Sequence, residues 1–374
     1  MLPTPTKSIP YEDLKGVNAP FFDKLRASFD RTLTSGWYVL GQNVSDFEAA
    51  FAAHNGVRFC IGVASGLDAL TLSLVALNMP KGSEVLVPSN TYIASILSIL
   101  QAGLVPVLVE PDSVTYNLDP LKIESAITPR TKAMLPVHLY GKPCDMGSLM
   151  ALAKTHSLYV VEDCAQAHDA AFQGQKVGTF GDCGAFSFYP TKNLGALGDA
   201  GAILTNSAEL AAKLRQLRNY GSSKKYHNDC IGFNSRLDEV QAGFLNVKLP
   251  FLENISTHKR QLADLYKKGL SSVLVKPSLQ PEAYDVFHIY NILTPKRDEL
   301  KLYLAEQGIT TEVHYPVAPH FQPALKDMFP HAAYPISEKI HAQTLSLPIS
   351  YTHTQEDIER VVEAINKFVR IYCI

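Results

Sequence analysis

Lys192 stands where a lysine is least hydrated, inside the stretch AFSFYPTKNLGALGDAGAI from Ala185 to Ile203. On one side are Phe186, Ser187, Phe188 and Tyr189; on the other is a loop holding Gly195, Gly198 and Gly201. An amine sheltered by aromatic rings loses hydration, its pKa falls and its neutral form becomes nucleophilic. A lysine that forms a Schiff base with a carbonyl compound needs that tuning. A solvated loop charge is the plainer reading, so the partners supplied elsewhere in the chain decide.

Asp163 closes the apolar run of VVEDCAQAH (160–168). Ligands of open α/β sheets bind at the carboxyl ends of strands. A half-buried carboxylate there is costly unless it meets a cation, such as a protonated pyridine nitrogen. Asp is also a common N-cap, and that role stays open. Ser65-Gly66 marks a strand-to-helix turn whose free N–H groups suit a phosphate. Asp68, in the first turn after it, is expected to face away from such an anion. Tyr92 follows another strand's carboxyl end, where its ring could stack on a planar ligand or simply start a core helix.

His138 and Tyr140 end a further strand (VHLYG), and His314 and His320 flank a Pro-rich loop (VHYPVAPHFQP). Two histidines six apart without a nearby carboxylate make a poor metal site, and no metal is expected. The chain contains neither the Gly-x-Gly-x-x-Gly fingerprint of a nicotinamide dehydrogenase nor a Walker loop. Lysine, carboxylate, anion-binding turn and flat ring, each at a strand end, together match what pyridoxal 5'-phosphate (PLP) requires.

The elements that must position these groups alternate. Apolar runs at 59–63, 84–88, 105–109, 131–139 and 158–163 predict strands, with helical spacing between them at 67–77, 93–101 and 146–156. Residues 184–188 and 201–204 read as an antiparallel pair flanking the lysine loop. Helices are expected at 21–33, 44–54, 208–219 and 236–247. Buried strands alternating with helices predict an α/β fold with a largely parallel sheet covered on both faces. Past Pro250 the pattern changes to a long helix (252–270), strands near 273–275 and 286–293, a helix (298–307), a strand (310–313) and a final helix (355–371). The domain boundary is therefore placed near residue 250, giving domains 1–250 and 251–374.

The 374 residues suffice for two cores, and 46% hydrophobic with 19% charged residues is a globular composition. A net charge of −2 supplies no basic excess for nucleic acid. Six scattered cysteines without Cys-x-x-Cys spacing read as reduced thiols of a cytoplasmic protein. The most apolar window, 93–109, is broken by Gln101, Gly103 and Pro106 and reads as helix then strand, not a membrane span.

The ordered stretches SGWYVLGQNVSDFE, GVASGLDALTLSL, VPSNTYIAS, PVHLYGKPCDM, VVEDCAQAHDA, FSFYPTKNLGALGDAGA and RNYGSSKKYHNDCIGFNSRLDEVQA span nearly the whole chain. In these the sequence resembles the DegT-type nucleotide-sugar aminotransferases of aminotransferase fold type I. Its wording is nearest to members that aminate C3 of dTDP-3-keto-6-deoxyhexoses. The resemblance implies a large domain with a mostly parallel seven-stranded sheet between helices, and a smaller C-terminal α+β domain. It implies that Lys192 carries the cofactor and Asp163 partners its pyridine nitrogen. Gln166 would touch the phenolic oxygen side, Tyr92 would stack on the ring, and Gly66, Leu67 and Ser187 would hold the phosphate.

By the same resemblance Asn234, in GFNSRLDE, completes the phosphate site of a neighbouring subunit, so a homodimer with shared sites is implied. Tyr189, Tyr226, His314 and His320 are candidates for contacts with the sugar and nucleotide, with L-glutamate as amino donor. Deoxyamino sugars of a cell-surface polysaccharide such as lipopolysaccharide O-antigen are the implied destination. Asp169 and Ala200 stand where the family commonly has glycine. A subgroup with this fold replaces the lysine by histidine and dehydrates sugars; Lys192 argues against that branch. A 4-keto sugar aminotransferase and a non-catalytic ligand-binding relative stand as competing readings.

Overall fold

A computed structural model describes residues 8–329 and 333–372. Its central sheet contains β1 (Phe59–Val63), β2 (Glu84–Pro88), β3 (Val105–Val109), β4 (Thr131–Met134), β5 (Tyr159–Asp163), β6 (Cys183–Ser187) and β7 (Gly201–Thr205). The strand order is β1-β7-β6-β5-β4-β2-β3. Only β7 runs against the others, pairing Ser187 with Gly201 on one side and Val63 with Gly201 on the other. Successive side chains leave opposite faces of a strand, and both faces are filled here. Ile61, Val87, Ala133 and Val161 enter one core; Cys60, Leu86, Met134 and Val160 enter cores on the opposite side. Burial on both faces explains why these strands read as continuous apolar runs.

The helices that matter to the site are α1 (Gly66–Ala76), α2 (Ile93–Gln101), α3 (Glu239–Lys248) and α4 (Leu252–Gly269). A further core gathers residues from 262 to 369 around Tyr266, Tyr290 and Phe368, and Ile9 from the opposite end of the chain joins it. Conversely Leu325 and Ile340 pack into the core of the large sheet. The chain thus crosses the expected boundary at both ends.

Several elements differ from the periodicity. The strand expected over 131–139 stops at Met134; beyond Pro136 only the Val137–Asp163 bridge continues it, and Tyr140 turns the chain with φ 62°. The helix expected from Arg236 starts at Glu239, because 234 and 238 form single bridges with Asn219 and Val39. Strands expected at 273–275 and 310–313 reduce to the bridges Val275–Leu293 and Glu312–Ser346. The run 286–293 is a strand only over Tyr290–Leu293, and it pairs with the unanticipated strand Thr344–Leu347. The helix before that strand, Pro335–Gln343, starts on a proline, whose fixed φ suits the first helical position.

Among the described residues no helix is long and apolar enough to cross a membrane. The five cysteines in the described part are unpaired, four of them buried; Cys373 lies outside it.

Candidate active site

The carboxyl ends of β1, β2, β5 and β6 open onto one cavity of about 510 Å³. Its walls include Gly66, Leu67, Tyr92, Asp163, Gln166, Ser187, Tyr189, Lys192 and His314. Nine of the twelve residues expected at the site therefore meet in one place.

β6 delivers Ser187 to the rim, and the chain then turns so that Lys192 enters from the loop before β7. Burial lowers the lysine to about 8; Asp163 opposes the shift and the nearby Lys259 ammonium adds to it. Lys192 lines the cavity, together with Asp163 and His314. Beneath it His168 packs on the rings of Phe186 and Phe188. Burial drives that imidazole down to about 3, and Lys192 reinforces the shift, so it is neutral there.

Asp163 is buried, and burial raises its carboxyl above the ordinary value. Opposing this, Ser95 Oγ donates to Oδ2 at 2.8 Å, the Ala165 N–H donates to Oδ1 at 3.1 Å, and the charge of Lys192 adds to both. A carboxylate so enclosed gains most from a cationic hydrogen-bond donor. Asp163 caps no helix, which removes the N-cap role.

Ser65 caps α1, its side chain accepting from the Asp68 N–H at 3.1 Å. Asp68 turns away as expected, because Ser235 Oγ donates to its Oδ2 at 2.8 Å. Gly66 lies against Ser187 so closely that a Cβ would come within 2.5 Å of the serine Cβ. At Gly201 a Cβ would meet the Ser65 carbonyl oxygen at 2.3 Å. The two glycines let a helix N-terminus and the end of β6 close into a cradle for an anion. The side of the cavity carries Tyr92, half exposed and 4.7 Å between ring centroids from Tyr315. Gln166 is fixed below: its Oε1 accepts from the Tyr140 N–H at 2.7 Å, and its Nε2 donates to the Tyr315 hydroxyl at 3.0 Å. An amine, a buried carboxylate, an anion cradle and an aromatic wall fit a flat, phosphorylated pyridine carrying a carbonyl.

Three expected residues lie elsewhere. His320 is buried, with Nε2 3.2 Å from Glu338 Oε1 and its ring against Phe321 and Tyr334; Pro319 starts the short turn that directs it inward, away from the cavity. Tyr226 stands 87% exposed on the hairpin 222–228, and Asn234 is exposed and bridged to Asn219; neither lines the cavity. Asp169 takes φ 73°, the left-handed region that favours glycine and that Asp tolerates, with its carboxylate 2.8 Å from Lys176 Nζ. His138 is buried and does not line the cavity: its Nε2 lies 3.1 Å from Glu162 Oε2, and Glu162 also accepts from the Gly178, Phe180 and Gly181 N–H groups.

Sequence reasoning missed Ser95, His288 and Tyr315, all lining the cavity. Ser95 had a signal: it lies in the first turn of α2 four residues after Thr91, which precedes the helix, and their hydroxyls are 2.7 Å apart.

Residues 23–366 match the model of the DegT/DnrJ/EryC1/StrS aminotransferase family. The dTDP-3-amino-3,6-dideoxy-alpha-D-galactopyranose transaminase of Aneurinibacillus thermoaerophilus is 51% identical, the match covering 96% of this chain and 99% of that protein. The crystal structure of Streptomyces venezuelae DesV in complex with a ketimine intermediate superposes with a TM-score of 0.95 at 44% identity, covering 97% of this chain and 99% of that one. Bacillus subtilis NtdA, solved with its bound cofactor PMP, gives a TM-score of 0.92 at 30% identity, covering 99% of this chain and 87% of that one. Sequence and architecture agree along the whole length, and this chain belongs to the DegT/DnrJ/EryC1/StrS aminotransferase family.

Proposed function

We propose that this protein transfers an amino group from L-glutamate to a dTDP-linked 3-keto-6-deoxyhexose, using PLP held in the cavity around Lys192. The observation that carries the reading is the convergence of Lys192, Asp163 and the Gly66–Ser187 cradle on one cavity. The substrate class is supported by the relative that acts at C3 of a dTDP-linked dideoxysugar. Bound PLP supplies a carbonyl that takes up an amino group and an electron-poor ring that spreads the charge left when a proton departs.

The residues supply the rest. Asp163, held by Ser95 and the Ala165 N–H, is the carboxylate that keeps a pyridine nitrogen protonated. Gly66 and Leu67, at the N-terminus of α1 whose dipole favours an anion, would hold the phosphate together with Ser187 at the end of β6. Tyr92 and Gln166, both lining the cavity, would cover the ring and face the phenolic oxygen. Lys192 Nζ, neutral above about pH 8, takes and returns the donor's α-proton. Tyr189 and His314, at the cavity wall, are placed to touch the sugar nucleotide.

We further propose a homodimer in which Asn234 of the partner subunit closes the phosphate site. Its support is that Asn234 is exposed and outside its own cavity, bridged to Asn219 next to the exposed Tyr220. Incubating the purified protein with PLP, glutamate and a dTDP-linked 3-keto sugar should release one 2-oxoglutarate per sugar consumed. Sugar consumption without 2-oxoglutarate would instead identify a dehydratase.

A further inference from the structure

Two buried lysines grip the loop that carries Lys192. Lys248, on α3, donates to the Gly195 carbonyl and to Asn18 Oδ1 at 2.9 Å. Lys259, on α4, donates to Asn193 Oδ1 at 2.9 Å and to the His288 carbonyl at 3.3 Å. Asn193, next to Lys192, also donates through Nδ2 to the Val286 carbonyl at 3.1 Å. Lys259 is only 4% exposed, and the acceptors that hold it are neutral oxygens. A buried ammonium without a hydrogen-bonded carboxylate is costly, and an apolar side chain of similar length would pack at that position without the penalty.

We infer that Lys259 is a positioning residue for Lys192: through Asn193 it fixes the lysine loop, and its charge faces the amine that receives the carbonyl compound. The inference rests on the proposed role of Lys192, but its test does not need the cofactor. The electrostatics agree in direction: Lys259, which burial itself lowers to about 8, is among the groups that lower Lys192, and Lys248 is not. The other charged or titratable groups facing Lys192 are Asp163, His168, His288 and His314. Those facing Lys259 are Glu12, His288 and His353. Of all these only Asp163 and Glu12 are acidic; Glu12 accepts from Ser350 Oγ and acts on Lys259 but not on Lys192.

The test is brief acetylation of the full-length protein with acetic anhydride across pH, after hydroxylamine treatment has removed bound carbonyl compounds. Peptide mass spectrometry then reads modification at Lys192. Wild type should show its midpoint near pH 8. In Lys259→Met and in Lys259→Gln, the second variant guarding against a folding defect in the first, the midpoint should rise by about half a pH unit or more. Lys259→Arg, whose guanidinium stays charged throughout, should leave the midpoint at or below the wild-type value, and Lys248→Met, which loosens the same loop without removing the Lys259 charge, should stay near wild type. An unchanged midpoint in both neutral variants, or an equal rise in Lys248→Met, would overturn the inference.

Discussion

Ser95 Oγ donates to Asp163 Oδ2 at 2.8 Å, and the Thr91 hydroxyl lies 2.7 Å from the same serine. A short hydroxyl relay from the first turn of α2 thus orients the carboxylate at the end of β5, whose other oxygen is taken by the Ala165 N–H. A hydrogen bond to a charged group is worth about 1.5–3 kcal/mol. Ser95→Ala is therefore expected to lower turnover by about 10- to 100-fold. Asp163→Asn, which removes the negative charge, should cost more. Steady-state kinetics on the two variants checks the order; equal activity of Ser95→Ala and wild type would show that the relay has no part in turnover.

Lys192→Ala should abolish the long-wavelength absorbance of the PLP-loaded protein and reduce turnover by about 10⁴-fold or more, the scale of removing a catalytic nucleophile. A visible spectrum and a 2-oxoglutarate assay read both.

The cradle makes a steric prediction. Gly66→Ala places a methyl group 2.5 Å from the Ser187 Cβ, a contact neither backbone can relieve by a rotamer change. Overpacking of this kind costs about 1–3 kcal/mol. The Kd for PLP should rise by about 10- to 100-fold in equilibrium titration.

The acid–base prediction follows from the direction of the lysine's shift. Burial, helped by Lys259, lowers Lys192 to about 8. Below that pH the amine is protonated and cannot attack a carbonyl. The rate of PLP capture by cofactor-free protein should therefore rise with pH and level off above about 8. Stopped-flow absorbance would show it; a rise continuing toward the ordinary lysine value near 10.4 would mean an unperturbed amine.

Sharing of the site between subunits has its own test. Lys192→Ala and Asn234→Ala proteins are each expected to be impaired, the second through weaker PLP retention. In the proposed shared-site arrangement, mixed dimers would carry both substitutions in one site and leave the other intact. Activity that recovers on mixing and refolding, toward a quarter of the wild-type level at equal amounts, supports a shared site. No recovery contradicts it.

Much of this site was legible because its residues sit at strand ends, where apolar runs stop and the first polar side chains must face the ligand crevice. Asp163, Tyr92 and the Ser65-Gly66 turn belong to that class, whereas Ser187 came only through the family resemblance. Tyr315 and His288 could not be read this way. They come from irregular chain after the large sheet is complete, where no periodicity fixes which side chain points inward. His320 shows the converse. A histidine in a Pro-rich loop suggests a ligand contact, but Glu338 and the rings of Phe321 and Tyr334 absorb it. In the fold, both-face burial made the parallel strands plain. The strand Thr344–Leu347 escaped because its pattern is short and its partner, Tyr290–Leu293, lies far away in sequence.

The proposed reaction is tested most directly with purified protein, PLP and ¹⁵N-glutamate against a panel of dTDP-linked 3-keto and 4-keto 6-deoxyhexoses, the products read by mass and NMR. The expected product carries ¹⁵N on C3, is formed from the 3-keto sugars and is absent with Lys192→Ala. Label on C4 from 4-keto sugars alone, or product formation by Lys192→Ala at the wild-type rate, would contradict the assignment.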